Sequence, residues 1–242
     1  MTRVVFDIRT FPGGNFGSDA LRASQNSQLL IDTAKYLDIE ITCVISGEDF
    51  PAQPFIGRRE ALQGLLAFVN DEPKTLLAPH VAHCLQLANV ASGGRLDRVP
   101  TSGSLRGTLD LHLKAQGAKG LSTLETYLKH TQLTHSFAVV HASAGGVVRW
   151  DLIAIRTVLL SYQNRSAVSV GFSDDCGIEL LAMSGTLVAE GEPLAVVRSR
   201  NSSFLQDECQ GISQSYRLVA EEQSIESKGG AAWNTSVSST RA

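Results

Sequence analysis

The sequence predicts an α/β fold: a partial mixed sheet with a βαβ unit and a helical connection, followed by a small, curved antiparallel module. Three observations predict it. Two strand-like apolar runs, at 3–10 and 39–45, flank an amphipathic segment. Helical periodicity then recurs through much of 58–129. Finally, apolar residues alternate through 136–198 between glycines, a pattern typical of half-buried antiparallel strands joined by tight turns.

Length, charge and cysteine usage limit the number of domains, the kinds of partner and the cellular location that we expect. The chain has 242 residues, of which 43% are hydrophobic and 19% charged, enough for one large or two small globular domains. A formal net charge of −3 predicts no nucleic-acid partner and no anionic membrane partner. The four cysteines form no C-x-x-C, and no secretory pattern is visible, so we expect a reducing, cytoplasmic location.

The first part of the chain predicts a parallel pair of strands joined by a helix. Residues 3–10 form the first strand and residues 39–45 the second. Between them Ser18 or Asp19 can cap a helix whose small and apolar residues recur three and four positions apart: Ala20, Ala23, Ser27, Leu30, Ile31, Ala34 and Leu37. A strand, a helix and a strand in this order predict a βαβ unit.

The remaining elements predict the domain organisation. Further helices are expected at 58–69, 76–91, 105–117 and 124–129, which completes a partial α/β domain over residues 1–130. A β-rich module follows at 136–200, crossed by one helix at 151–162 that Asp151 can cap. Beyond residue 200 the pattern decays into small and polar residues, so we predict a mostly disordered tail over 201–242.

The turn Gly13-Gly14-x-x-Gly17 lies between the first strand and the first helix. Backbone amides and the helix dipole can hold a phosphate at such a place. The spacing is not G-x-G-x-x-G, however, and only Glu48 or Asp49 could serve a ribose. We therefore favour a plain strand-to-helix turn over a dinucleotide site.

His80, His83 and Cys84 stand at positions i, i+3 and i+4 of a predicted helix and so share one face. Imidazole and thiolate groups are zinc ligands, but the sequence supplies no fourth ligand. We favour a half-buried helix face with a structural cysteine, and we predict no metal and no cofactor.

The adjacent acids Asp174 and Asp175 precede a predicted strand. Paired carboxylates can do acid–base work, but in a loop rich in Ser and Asp we favour turn capping. No lysine lies between Lys129 and Lys228, so the β-rich module cannot carry biotin or lipoate on a lysine at a hairpin tip.

Arginines in two places are weaker candidates. Arg58 with Arg59, and Arg149 with Trp150, could hold an anion or stack on a base. Because isolated arginines are mostly found at the surface, we favour solvated side chains.

Six segments in order carry a family resemblance: V-V-F-D-I-R-T-F-P-G-G-N-F (4–16), I-E-I-T-C-V-I (39–45), Q-P-F-I-G-R-R-E-A-L (53–62), S-G-S-L-R-G-T-L-D-L-H-L-K-A-Q-G-A (102–118), H-A-S-A-G-G-V-V-R-W-D (141–151) and G-I-E-L-L-A-M-S-G-T-L-V-A-E-G-E-P-L-A-V-V (177–197). Together they resemble the C-terminal part of the thymidine and pyrimidine-nucleoside phosphorylases, including their AMP phosphorylase relatives. The resemblance covers roughly residues 3–200. It implies that the C-terminal module is barrel-sandwich-like.

The resemblance also implies a chemistry. The family are pentosyltransferases that cleave a pyrimidine nucleoside with inorganic phosphate as co-substrate, giving pentose 1-phosphate and free base. Phe16 matches the Phe of the family's G-S-G-A-F loop beside the base pocket and would pack on the pyrimidine. No metal-contacting residue carries over, because residues are missing between Pro54 and Phe55 relative to the family segment.

Parts of the family pattern are absent from the 242 residues: a Lys-His-Ser phosphate segment, S-G-R-G-x-x-x-T-G-G-T-x-D, and an Arg…Ser-x-x-x-Lys base-binding set. We therefore expect a truncated or split phosphorylase-like protein that is inactive without an N-terminal half. The alternative is a non-catalytic remnant that acts as a structural or partner-binding module. The sequence leaves open whether the chain is an enzyme.

The resemblance further implies an exposed sheet edge. In the family, the strand at 3–10 lies inside a sheet, so its backbone donors and acceptors would lack neighbours here. We expect either a complementing N-terminal half or a homo-oligomer, with self-association of the isolated chain.

Overall fold

A computed structural model describes residues 2–11, 17–47, 51–70, 75–96, 101–163, 174–220 and 236–239. In chain order the elements are β1 (Thr2–Thr10), α1 (Ala20–Tyr36), β2 (Ile39–Gly47), β3 (Phe55–Ile56), α2 (Arg58–Val69), α3 (Ala78–Ala91), α4 (Ser102–Ala115), α5 (Leu121–Thr134), β4 (Ser136–His141), β5 (Gly146–Trp150), α6 (Leu152–Gln163), β6 (Cys176–Leu180), β7 (Leu187–Val188), β8 (Pro193–Ser199), α7 (Leu205–Ser213), β9 (Tyr216–Val219) and β10 (Ser236–Ser239). The mixture of helices and strands confirms an α/β protein.

The chain divides into two compact units. Unit 1 comprises Met1–Ala52, Pro79–Val99 and Glu222–Ala242, and unit 2 comprises Gln53–Ala78 and Pro100–Glu221. These units differ from the predicted division into 1–130 and 136–200, because α2, α4 and α5 group with the β-rich part of the chain.

Unit 1 contains a three-stranded sheet in the order β1-β2-β10. β1 and β2 are parallel and stay in register along their full length, from Thr2 opposite Ile39 to Thr10 opposite Gly47. α1 lies between them in the chain and begins at the predicted cap, since the Asp19 carboxylate accepts from the Arg22 amide at 2.9 Å. The helix buries its predicted face against alternate strand residues; this core contains Ile8, Ala23, Ile31, Ala34, Ile41 and Cys43.

Unit 2 contains two antiparallel sheets, β3-β6-β8-β4 and β7-β5-β9. Their apolar side chains share one core with α6 and α7, in which Val148, Ile155, Ile178, Leu194 and Ile212 are completely buried. Asp151 caps α6 as predicted, because its carboxylate accepts from the Ala154 amide at 2.9 Å. A second, smaller core, formed by α2, α4 and α5, includes Leu66, Val69, Leu121 and Leu124.

The prediction of a mostly disordered tail over 201–242 is wrong for residues 202–219 and 236–239. The first range forms a 3-10 turn at Ser202–Phe204, then α7 and β9, and the second is β10, which pairs with β2. α7 is only 9 residues long, and its apolar side consists of just Leu205, Cys209 and Ile212 among polar residues. It is nevertheless anchored, because Ile212 is completely buried and β9 pairs with β5.

Within the described residues, no helix combines the length and the apolar character that crossing a membrane requires.

Two glycine substitutions test how the α1 junction is built. Gly17 has φ +145°, and a Cβ there would lie 2.7 Å from the Ala23 amide nitrogen. We expect Gly17→Ala to lower the free energy of unfolding by about 1–3 kcal/mol. The control, Gly107→Ala, lies inside α4 with open space around the new Cβ and should raise stability by about 0.5–1 kcal/mol. Urea titrations of both variants measure the two effects; equal shifts would contradict this account.

Candidate functional site

A polar cluster lies at the carboxyl end of the parallel pair β1–β2 in unit 1. Alternate residues of β1 face α1 and its core, so the intervening residues Asp7 and Arg9 share the other face of the sheet. Ser46 of β2 is in register with Arg9 and joins them. Ligands of open α/β sheets characteristically bind beyond the carboxyl ends of parallel strands, which makes this cluster the first candidate for a site.

Asp7 is the centre of the cluster. Its carboxylate accepts from Arg9 Nε at 2.7 Å and from Ser46 Oγ at 3.3 Å. His83 Nε2 of α3 lies 3.2 Å from Asp7 Oδ1. The His83 side chain is 2% exposed, whereas that of Asp7 is 22% exposed. The cluster therefore combines a solvent-accessible carboxylate with a buried imidazole, a guanidinium and a hydroxyl.

The other two residues of the predicted histidine–cysteine face form a separate contact. His80 Nε2 lies 3.7 Å from Cys84 Sγ. Burial, followed by the charge of Arg9, lowers the pKa of His80, while burial raises the pKa of the Cys84 thiol. A neutral imidazole beside a protonated thiol is not an activated nucleophile.

The expectation of a structural cysteine on this face is wrong, because Cys84 is exposed and His83 is the buried residue. His83 contacts Asp7 rather than its two helix neighbours. In the ranges that the structure describes, no three His, Cys, Asp or Glu side chains are grouped so that they could hold a metal ion.

The glycine turn before α1 is only partly described. Gly13, Gly14 and Phe16, the residue expected beside a base, lie outside the described residues. The first turn of α1 is capped by the Asp19 carboxylate, whose pKa is lowered by its hydrogen bonds to the Arg22 amide and Ser18. An acidic cap uses an amide that a phosphate would need and repels the anion, which agrees with a plain strand-to-helix turn.

A larger polar network in unit 2 is built around Arg198 of β8, whose side chain is 1% exposed. Its Nε and Nη2 donate to the two Glu60 oxygens at 2.6 and 3.0 Å. Nη2 also donates to Asp174 Oδ1 at 2.8 Å. Nη1 donates to the Asp174 carbonyl and to His135 Nδ1, both at 2.8 Å. All five guanidinium donors are thus used inside the protein, so Arg198 has none left for a ligand.

Burial and neighbouring charges shift the pKa values of three groups in the network. Burial acts against the charged guanidinium, but hydrogen bonds and charge from Glu60, with Asp174, outweigh it and raise the pKa of Arg198. Burial and the neighbouring Arg198 lower the pKa of His135 to about 4. Burial, then the hydrogen bond to Asp174, raises the pKa of Tyr127. The network therefore contains a permanent cation, a neutral imidazole and a protonated phenol at neutral pH.

Arg59 of α2 extends this buried polar region. Its guanidinium donates to Thr131 at 2.9 Å, Gln63 at 2.8 Å and Gln132 at 2.9 Å. It also lies 5.2 Å from the centre of the Phe137 ring, a cation–π arrangement. The expectation that this arginine is solvated is therefore wrong.

Two further candidates lie in unit 2. Trp150, considered for stacking on a base, is buried, and its ring N–H donates to the Ala182 carbonyl at 2.7 Å. Asp174 and Asp175 pair with Arg198 and Arg200, and the loop residues that precede these acids lie outside the described residues. The two arginines follow the apolar run of β8, so strand pairing with β6 brings them next to the acids that precede it.

Three features of the sequence point to this network. Arg198 is the only charged residue in the strand P-L-A-V-V-R-S. Glu60 shares a helical face with Gly64 and Ala67, both buried. Gly177 makes room for it, since a Cβ there would overlap the Glu60 carboxylate. A charge on an apolar face predicts a buried partner, but pattern alone does not identify that partner.

The chain was compared with known proteins. None of the protein-family models matches it, and a search of curated proteins found no match either.

Removing Arg198 should leave Glu60 buried without its counter-ion. We expect Arg198→Met to lower the free energy of unfolding by about 3–5 kcal/mol. Adding Glu60→Met should recover part of that loss, since two apolar side chains replace a broken ion pair. Arg200→Met is the matched control, because its side chain is 60% exposed and should change stability by less than about 1 kcal/mol. Equal effects of Arg198→Met and Arg200→Met would contradict the structural role.

His135 should make unit 2 sensitive to acid. The folded pKa of about 4 lies below the ordinary value of 6.5, so the unfolded state binds more protons between these values and stability falls as pH drops from 6.5 towards 4. Because His135 is only partly buried, we expect a loss of about 1–2 kcal/mol. His135→Gln should flatten this pH dependence, and His130→Gln, on the exposed side of α5, should not. An unchanged profile for His135→Gln in pH-dependent urea unfolding would disprove the assignment.

Proposed function

We propose that this chain is a pyrimidine-nucleoside phosphorylase-like protein whose unit 1 contributes the nucleoside side of the cleft. The observation that carries the proposal is the polar cluster of Asp7, Arg9, Ser46 and His83 at the carboxyl end of a parallel strand pair. The order of six family-like sequence segments supports it independently. The β1–α1 turn, which resembles the family's loop beside the base, joins this same end of β1 to α1.

The proposed reaction is phosphorolysis. A phosphate oxygen attacks the anomeric carbon of the pentose, the bond to the pyrimidine nitrogen breaks, and the base leaves with the electron pair and takes up a proton. Such a reaction needs cationic groups to hold the phosphate and donors to stabilise charge developing on the base. Arg9 and the Ser46 hydroxyl offer one cation and one hydroxyl, and Asp7 can orient both.

This set is too small to perform the reaction unaided. The Arg9 guanidinium is already held by Asp7 at 2.7 Å, so much of its charge is compensated. The segments with which the family holds phosphate and pyrimidine are absent from the 242 residues. We therefore propose that turnover requires a second polypeptide segment that supplies them, and that this chain provides the scaffold and one wall.

Unit 2 has a supporting role in this proposal. Its two sheets share one apolar core, which is consistent with the barrel-sandwich-like module implied by the sequence resemblance. Its most distinctive charged group, Arg198, is fully engaged within the protein, so we assign it to stability rather than to substrate binding.

The second candidate function is a non-catalytic structural or partner-binding module. The internally satisfied Arg198 network favours it, because the hydrogen-bond donors of this buried cation are used within the protein. On this interpretation the family-like segments are retained for folding, and the polar end of β1–β2 binds no nucleoside.

A complementation assay separates the two functions. The chain is incubated with uridine or thymidine and inorganic phosphate, with and without a separately expressed polypeptide bearing the missing family segments, and free base is measured. We expect no base from the chain alone and base from the mixture, reduced at least tenfold by Asp7→Asn. The matched control, Asp32→Asn on the exposed side of α1, should leave the rate unchanged. Turnover by the chain alone would overturn the need for a second segment, and an inactive but folded mixture would favour the non-catalytic function.

A further inference from the structure

The outer side of β1 is a long sheet edge without a pairing strand in the described ranges. β1 is the terminal strand of the order β1-β2-β10, and none of the strands in the described ranges pairs with its outer side. It is 9 residues long and keeps an unbroken register against β2. Such an edge presents a row of backbone donors and acceptors to a further strand.

Within its described residues, β1 lacks several of the usual protections of an edge strand. Natural edges are commonly shortened, bulged, or interrupted by Pro and Lys. The strand T-R-V-V-F-D-I-R-T contains neither residue, and its pairing with β2 shows no bulge. One face of β1 carries three charged residues, Arg3, Asp7 and Arg9. Their charges favour a pairing strand that places opposite charges across from them.

We propose that a second copy of this chain pairs with the outer side of β1, antiparallel and about a two-fold axis, with Val5 opposite Val5. The inference does not depend on the proposed function. Its basis is charge complementarity, because two-fold symmetry brings one residue of β1 opposite itself and thereby fixes every other pair.

Only some registers oppose unlike charges. With Val5 on the axis, each Arg3 faces the Asp7 of the other copy, and this pair occurs twice. With Phe6 on the axis, Arg3 would face Arg9, and with Asp7 on the axis, two carboxylates would face each other. A register centred on Ile8 pairs Asp7 with Arg9 but leaves residues 2–5 without partners. Directly opposed unlike charges stabilise an antiparallel pair and like charges destabilise it.

Both charged groups are accessible enough to make this contact. The Arg3 side chain is 33% exposed and that of Asp7 is 22% exposed. Each is already oriented by a neighbour, Arg3 by Glu40 at 2.7 Å and Asp7 by Arg9 at 2.7 Å. On the opposite face the Val5 register sets Val4 against Phe6, so the apolar rows of the two copies also meet.

Complementary charge reversal tests the proposal by sedimentation velocity. We expect the wild-type chain to dimerise, and Arg3→Glu and Asp7→Lys each to weaken self-association at least tenfold. An equimolar mixture of these two variants should recover it, because Glu then faces Lys and Arg faces Asp across the same axis. Arg22→Glu, a reversal on the exposed part of α1, is the matched control and should dimerise like the wild type. Unweakened association of both variants would overturn the proposal.

Disulfide trapping tests the register without relying on the charge variants. In a Cys84→Ser, Cys209→Ser background, Val5→Cys should form a covalent dimer on oxidation, and Phe6→Cys should do so at least tenfold more slowly. The reverse ranking would overturn the register. A wild-type chain that stays monomeric, with Val5→Cys linking only to a cysteine in an added complementing polypeptide, would assign the edge to that polypeptide and overturn the dimer.

Discussion

The interaction on which unit 2 depends most is the buried pair between Arg198 of β8 and Glu60 of α2. A guanidinium this deeply buried is tolerable only if every donor is satisfied, and here Glu60, Asp174 and His135 satisfy all five. The pair links residues 138 positions apart in the chain. It therefore joins the helical and β-rich parts of this unit, which is why α2 groups with the strands that follow it much later in the sequence.

The Arg198–Glu60 ion pair also constrains the residues around it. Glu60 fits beside β6 only because residue 177 is glycine. Asp174 accepts from Arg198 and also from the Tyr127 hydroxyl, so α5 is tied to the same centre. Such a network costs desolvation free energy that often offsets its Coulombic gain, and in some proteins its benefit is to exclude alternative packings. We infer that it fixes how α2 and α5 pack against the sheet of β6 and β8.

The two units differ in how their polar groups are used. In unit 2 the buried Arg198 and Arg59 are bound by internal partners, whereas in unit 1 Asp7 keeps an exposed fraction at the end of two parallel strands. Because of this contrast, we propose that the nucleoside binds to unit 1 and that unit 2 supports the fold. The contrast also explains why Arg198, although it is a deeply buried cation, is not the first candidate for binding phosphate.

Local features of the fold were predictable from the sequence, and distant partners were not. The helix at 58–69 is confirmed at both ends, and Asp19 and Asp151 cap the helices that they were expected to cap. Each depends on interactions within one or two turns. The partners of Arg59, Arg198 and Asp174 lie far along the chain, and periodicity carries no information about them. The short length and mostly polar composition of α7 hid it, although Ile212 and Glu208 are both buried and Glu208 accepts from Ser199 of β8.

The central claim is that a pyrimidine nucleoside contacts the carboxyl end of β1 and β2. Hydrogen–deuterium exchange of the chain mixed with the complementing polypeptide, with and without saturating uridine and phosphate, measures this contact directly. We predict that the ligands slow exchange in peptides covering Thr2–Thr10 and Ile39–Gly47, and that Asp7→Asn abolishes this effect. Exchange that is unchanged there, or that slows only in peptides of unit 2, would contradict it.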